Sequence, residues 1–445
     1  MGAFFVYADK AAGTAPIASE RNKTAETAPI ASENDRAKGA AVAHSQGSPI
    51  APSAYVGKCF WTAKQGRVSS LFSYDDSYIG GAGNWSIDPA FPLISGAQPA
   101  ATELPGAFRD TAPDRWGRSL IDRRRRQEAR AQGKTPRALT EVDYLLQISD
   151  ISRQGCLRFS LTQGGAFEHP SEDIPRIVAL PKLLHAADRF AADPDEASVS
   201  YLLEAGSASL GGARPKASVA DGNRMYIAKF PHRQDEWDVI AWEWVMLEAA
   251  AEAGISVPVH DLLSVGNQHV LLTERFDRKG GARLGYISAM TLLGLEDGAH
   301  SDYADIALAL RDISVSAKAD LEELFRRVVF SILVNNTDDH LRNHGLIRNG
   351  SGWRLSPVFD VNPNPEAGIR ATGVFGETEK TAALAALLSG AGTFGLSHAR
   401  AEKIAHEVRD GIRSCGLYAV KAGVSKEEQS RFLSIFDPVS IFDPA

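Results

Sequence analysis

The chain has 445 residues, a formal net charge of −7 and the apolar and charged fractions of an ordinary globular protein. That length exceeds one average core, so two or three subdomains are expected, and the charge gives no general pull toward nucleic acid or anionic membrane. Cys59, Cys156 and Cys415 lie far apart with no ligand-type spacing, which argues against structural zinc and for a reducing, cytoplasmic setting. No apolar run reaches the roughly 18 residues of a membrane span, and the N-terminus has no basic region of the kind that opens a secretory signal.

In chain order, Ala3 to Ala8 reads as a first strand. From about residue 12 to 53 the composition collapses to Ala, Ser, Thr, Pro and charge, and the heptapeptide TAPIASE occurs twice. Such a stretch buries too little apolar surface to order itself and reads as a disordered insert, a swollen hairpin loop between two paired strands. AYVGKCFWTA and GRVSSLFSYD then read as strands, so residues 1–105 form an N-terminal antiparallel β subdomain. Asp114 is placed to cap a helix that starts at Arg115 and carries Arg118, Arg123 to Arg126, Arg130 and Lys134. A basic run of this kind reads either as a solvated face or as a contact for phosphate backbone or an acidic partner. Helix and strand follow, and Ala186 to Ala205 reads as one helix.

Two stretches carry chemistry. SASLGGARPKASVA, at 207–220, is Gly-rich, and glycines let backbone N–H groups approach phosphate oxygens, with Lys216 adding charge. The strand MYIAKF follows and projects Lys229, and the next helix carries Glu243. Kinases use such a strand lysine on the α/β-phosphates and pair it with a helix glutamate. Two antiparallel strands then end at Glu274-Arg275-Phe276, a place where a hinge offers backbone and apolar cover to adenine. These elements make residues 106–280 a small-lobe region.

The second stretch is NNTDDHLRNHGLIRNGSGWRLSPVFD, at 335–360. An apolar run at steps of three and four, Leu321, Leu324, Phe325, Val328, Val329, Ile332 and Leu333, places a buried helix before it. Asn335-Asn336 ends that helix, leaving Asp338, His340 and Asn343 on a loop. A Gly-rich hairpin then returns Asp360 to the loop. Asp338 and Asn343 have the separation of Asp and Asn in H-R-D-x-x-x-x-N, and Asp360 takes the place of the Asp in D-F-G, although Val361 rather than Gly follows it. Residues 281–437 complete a helical lobe.

With SLGGARPKA, AKFP, WEWVMLEAAAEAGISVP, TERFDR, NTDDHLRNHG and SPVFDVNP in this order, the chain resembles the HipA family of bacterial Ser/Thr-kinase toxins over nearly its whole length apart from the insert. The resemblance implies an α+β, protein-kinase-like two-lobed fold behind an N-terminal β subdomain, and an ATP- and Mg²⁺-dependent protein kinase. It implies that Asp338 accepts the substrate proton, with His340 and Asn343 in the catalytic loop, and that Asn343 and Asp360 hold the metal. It places Gly211, Gly212, Ala213, Arg214, Pro215 and Lys216 in the phosphate loop, Lys229 as the nucleotide lysine and Glu274, Arg275 and Phe276 at the hinge. Leu341, Arg342 and Phe359 join the nucleotide-binding set. Ser209 falls on the autophosphorylated serine whose modification ejects the loop and switches activity off. Asp339 stands where some members carry Gly and is assigned no role. The implied partners are a helix-turn-helix antitoxin of the HipB type, operator DNA reached indirectly through it, and a protein substrate. The best-known member acts on glutamyl-tRNA synthetase, which makes an aminoacyl-tRNA synthetase a candidate. Two other readings stay open: a catalytically silent co-repressor bound to its antitoxin on DNA, and a kinase for small molecules or lipids.

Overall fold

The structure, a computed structural model, describes residues 2–9, 53–64, 67–169, 174–193, 195–208, 212–366 and 368–436. The insert with its TAPIASE repeats, Ser209 and Gly211 lie outside the described residues. Among the described residues, no helix is long and apolar enough to cross a membrane.

Architecture is α+β. The N-terminal sheet has five antiparallel strands in the spatial order Ala97–Pro99, Arg67–Tyr74, Ser53–Lys64, Gly2–Asp9, Leu157–Ser160. Gly2–Asp9 and Ser53–Lys64 pair directly across the insert. Arg67–Tyr74 alternates strictly between exposed and buried positions up to Phe72, the pattern of a strand with one face on a core. Phe4, Phe72, Phe108 and Phe159 meet edge to face in that core. The fifth strand comes from beyond residue 105, so this sheet draws on the segment that also carries the basic helix.

Next comes an antiparallel sheet of four strands in the order Lys216–Asp221, Arg224–Lys229, Gln268–Glu274, His260–Val265. The helix Val239–Glu252 packs against it and is buried on nearly every side. Such a helix must be apolar all round, and VIAWEWVMLEAAAE is, with Glu243 the exception. Instead of one helix over 186–205, two form, Leu180–Ala192 and Glu196–Glu204. The sequence there is Asp193-Pro194-Asp195; the residue before a proline avoids helical backbone, and Asp195 starts the second helix by accepting from Ser198 N at 2.8 Å.

Behind the second sheet, the helix Ala317–Leu333 is the centre of the helical lobe, between Tyr303–Ile313 and His398–Ile412. Its apolar face packs Leu324, Phe325, Val328, Val329, Ile332 and Leu333, all inaccessible to solvent. A three-stranded sheet, Tyr286–Ser288, Gly345–Asn349 and Gly352–Leu355, holds the expected hairpin beside it.

Phe325 meets Phe394 edge to face with centroids 5.4 Å apart. Phe325→Ala should lower the free energy of unfolding by about 3–5 kcal/mol. Urea unfolding followed by circular dichroism checks this; a loss under about 1 kcal/mol would mean that this helix is not the packed base of the loop it carries.

Candidate functional site

Lys229 is the meeting point of the two stretches. Its Nζ is 2.5 Å from Glu243 Oε1 and 2.8 Å from Asp360 Oδ1. The strand Arg224–Lys229 supplies the lysine, the buried helix supplies Glu243, and the segment after the hairpin supplies Asp360. Burial works against the lysine's charge, but Asp360 and Glu243 outweigh it and hold Lys229 above its ordinary value. Asp360 is held well below the usual carboxylate range: burial opposes the charge, and Lys229 and Lys216 overcome it. Its backbone is left-handed, with φ +58°, uncommon for a non-glycine residue and a strained way to present a carboxylate.

Asp338, His340 and Asn343 share one loop. The helix before them ends at Asn335, also left-handed with φ +55°. His340 N donates to Asp338 O at 2.9 Å, Asn343 N to His340 O at 2.8 Å, and Asn343 Nδ2 to Asp338 O at 3.3 Å. Asp338 is exposed. Its pKa is nevertheless raised, first by the protein packed around it, then by Asp360 and Asp339, with His340 pulling the other way. Asp360 and His340 both act on the charge of Asp338.

Asp339, assigned no role from sequence, is the buried anchor of this loop. It accepts from the Tyr303 hydroxyl and from Ser331 Oγ, the latter at 2.8 Å, and lies 3.2 Å from His344 Nε2. Its carbonyl accepts from Thr372 Oγ1 at 2.6 Å, and Arg370 donates to the same Ser331 Oγ at 2.6 Å. Burial disfavours the Asp339 charge, but His344 and the two hydroxyls hold its pKa well below the ordinary value. Tyr303, Ser331, His344, Arg370 and Thr372 come from separate segments and form no local motif.

Several expected nucleotide contacts are placed elsewhere. The Arg275 guanidinium turns away from the cleft, to Asp277 at 2.7 Å and to the Ser152 and Arg153 carbonyls at 2.6 and 3.1 Å, and its N–H is bonded to Met225 O. A buried guanidinium needs these acceptors, so Arg275 serves the seam with the N-terminal half. The Arg214 guanidinium is held by Asp235 and that of Arg342 by Asp297. Leu341 is buried. Phe276 and Phe359 face each other with centroids 5.6 Å apart. Gly212, at φ +106°, arches over Lys216, where a Cβ would come within 2.5 Å of Nζ. Lys216 Nζ is 3.3 Å from Asp114 Oδ2.

The donors suit a hard cation. Among the described residues no three His, Cys, Asp or Glu side chains gather as a metal cage. Asn343 and Asp360 carry oxygen donors of the kind that Mg²⁺ takes alongside substrate phosphates and water. His340 Nδ1 is buried without a hydrogen-bond partner among the described residues, leaving a ring nitrogen for an incoming polar group.

The family described as HipA-like C-terminal domain matches residues 208–415. Residues 208–415, a little under half of the chain, are thus similar to the HipA-like C-terminal domain. The stretch holding Lys229, Glu243, Asp338, Asn343 and Asp360 falls wholly inside it. A Haemophilus influenzae protein named as a candidate kinase is 29% identical over 143 residues, covering 28% of this chain and 42% of that protein. The candidate kinase Y4dM of Sinorhizobium fredii is 30% identical over 176 residues, covering 36% and 43%. The chain thus spans less than half the length of these curated relatives. The HipA of Shewanella oneidensis, solved with HipB and its operator DNA, superposes with a TM-score of 0.60 over 86% of this chain and 93% of that one, at 16% identity. The likeness establishes a HipA-type, kinase-like fold that includes the N-terminal half.

The Asp339 charge makes a pH prediction. Its native pKa is depressed, so the stability it confers is full above the ordinary aspartate value, about 3.9, and is lost as pH falls through the native value. Asp339→Asn should cost about 3–5 kcal/mol at pH 7, because His344 and the hydroxyls lose a buried acceptor. The gap to wild type should narrow below about pH 4 in urea unfolding; a gap that stays constant with pH would remove the carboxylate as its source.

Proposed function

We propose that this cleft is an ATP- and Mg²⁺-dependent kinase site that transfers the γ-phosphoryl group to a serine or threonine hydroxyl of a protein. The observation that carries this reading is Lys229 bridging Glu243 and Asp360 beside the loop of Asp338 and Asn343. Asp360 occupies the side of Lys229 that nucleotide phosphates would share, so nucleotide entry exchanges one anion for another around a fixed cation. Asp338 accepts the proton of the attacking hydroxyl, and its raised pKa suits a base that must take a proton as the new O–P bond forms. Asn343 and Asp360 hold the metal. Mg²⁺ held by these residues would supply neutralisation of the phosphate charge. Phe276 and Phe359 provide apolar cover near the hinge for the adenine.

The family points further, to a toxin neutralised by a helix-turn-helix antitoxin of the HipB type, with operator DNA reached through that partner. An aminoacyl-tRNA synthetase is a candidate substrate. Autophosphorylation at Ser209 would add nearly two negative charges to a loop meant to cradle phosphates, which explains why such a modification would silence the enzyme. The co-repressor reading is compatible with this one. Arg124, Arg126 and Arg130 on the basic helix are exposed, whereas Arg118 is taken by Glu141 and Arg124 is shared with Glu128.

With labelled Mg-ATP, wild type should incorporate phosphate, including on Ser209. Asp338→Ala should lower the transfer rate by about 10²–10⁴-fold, the usual range for a proton acceptor, while nucleotide affinity changes little. Transfer to lipid or small-molecule acceptors in place of a hydroxyl on protein would move the assignment to those classes, and failure of the intact protein to bind nucleotide would sink the kinase reading.

A further inference from the structure

The stretch expected to cradle phosphates is bracketed by two contacts to a single place. Ahead of it, Gly117 sits so close to Ala208 that a Cβ at 117 would come within 2.5 Å of the Ala208 carbonyl oxygen and 2.9 Å of its Cα. Behind it, Asp114 Oδ2 meets Lys216 Nζ at 3.3 Å. Asp114 and Gly117 are the N-cap and an early residue of one helix, Arg115–Ala131, the basic helix of the N-terminal half. Between the two contacts the lysine runs beneath Gly212, whose missing side chain leaves room for Nζ. The pair is shielded: side-chain exposure is 3% for Lys216 and 14% for Asp114. A buried ammonium needs a nearby anion to stay where it is. Asp114 places a carboxylate in direct contact with it.

We propose that Asp114 is a positioning residue that mounts the phosphate loop, through Lys216, on the start of the basic helix. The nucleotide-holding half of the site then depends on a residue outside the matched domain, 208–415. Asp114 touches no reacting atom in this scheme. It fixes the lysine under the loop, and Gly117 fixes the chain entering the loop, so both ends are referred to one helix turn. The effect on nucleotide rests on the kinase reading of the cleft; the mount itself does not.

Asp114 also caps its helix, accepting from Gly117 N at 2.9 Å. Asn caps as well as Asp, so Asp114→Asn removes the charge while keeping the helix start. The test uses the full chain with two measurements. Hydrogen exchange on nucleotide-free protein reads the mount; isothermal titration with Mg-ATP reads its consequence. Asp114→Asn should speed amide exchange in residues 213–220 and weaken Mg-ATP binding, each by about tenfold, the scale of one charge-assisted hydrogen bond. The helix start is kept because Asn still caps it, so any loss of thermal stability comes from the broken pair. In a Lys216→Gln background, Asp114→Asn should add nothing further to either measurement, since its action runs through the lysine. Unchanged exchange in Asp114→Asn, or additive effects of the two substitutions, would overturn the mount. Wild type that binds no Mg-ATP would end the kinase reading, and the exchange measurement would still decide the mount.

Discussion

One buried cation organises the cleft. Lys229 is almost wholly removed from water, and an ammonium in such a place is tolerable only when anions surround it. Glu243 and Asp360 meet that need from opposite lobes. The requirement explains otherwise odd local features. A glutamate sits in the middle of a helix that is buried all round, because the lysine needs it there. Asp360 adopts a left-handed backbone, because its segment must turn to bring a carboxylate to Nζ. Neither choice makes sense as local structure; both follow from pairing one charge.

Environment also divides two adjacent carboxylates. Asp338 and Asp339 are chemically identical neighbours with opposite pKa directions. Asp339 points into the lobe, where Tyr303, Ser331 and His344 stabilise its charge, and it becomes an acceptor fixed in place. Asp338 points to the cleft, where Asp360 and Asp339 itself make a further negative charge costly. The buried residue therefore serves the exposed one twice. It fixes the loop, and its fixed charge raises the proton affinity of its neighbour.

Much of this was legible in the sequence, for reasons that differ by residue. The central helix shows itself by apolar spacing, and its end by Asn335-Asn336. The hairpins show themselves by alternation around glycine, and the basic helix by Asp114 at its cap. The order of elements points to Lys229, Glu243 and Asp360, which meet in the structure, and to Asp338 and Asn343, which share one loop. Asp339 was passed over because its partners are scattered from 303 to 372, and no window of sequence contains them. The contacts of the Arg275 side chain are hidden from sequence for the same reason: it reaches back to the carbonyls of 152 and 153. The break at 193–195 was written in a proline and a capping aspartate that a longer apolar pattern concealed.

These long-range contacts bear on what the unit of function is. Buried hydrogen bonds and ion pairs join the N-terminal half to the segment 208–415. Asp110, buried, accepts from Ser288 N and Oγ at 2.7 Å each and lies 3.7 Å from Arg342 of the catalytic loop. Asp277 accepts from Gly155 N at 2.7 Å while also binding Arg275 and Arg278. Arg283 reaches the Asp150 carbonyl at 2.8 Å. Separating the halves would strip these buried polar groups of the partners they hold across the seam and return them to water. The β subdomain and basic helix are therefore part of one structural unit with the segments that carry Lys216, Arg275, Asp277 and Arg342.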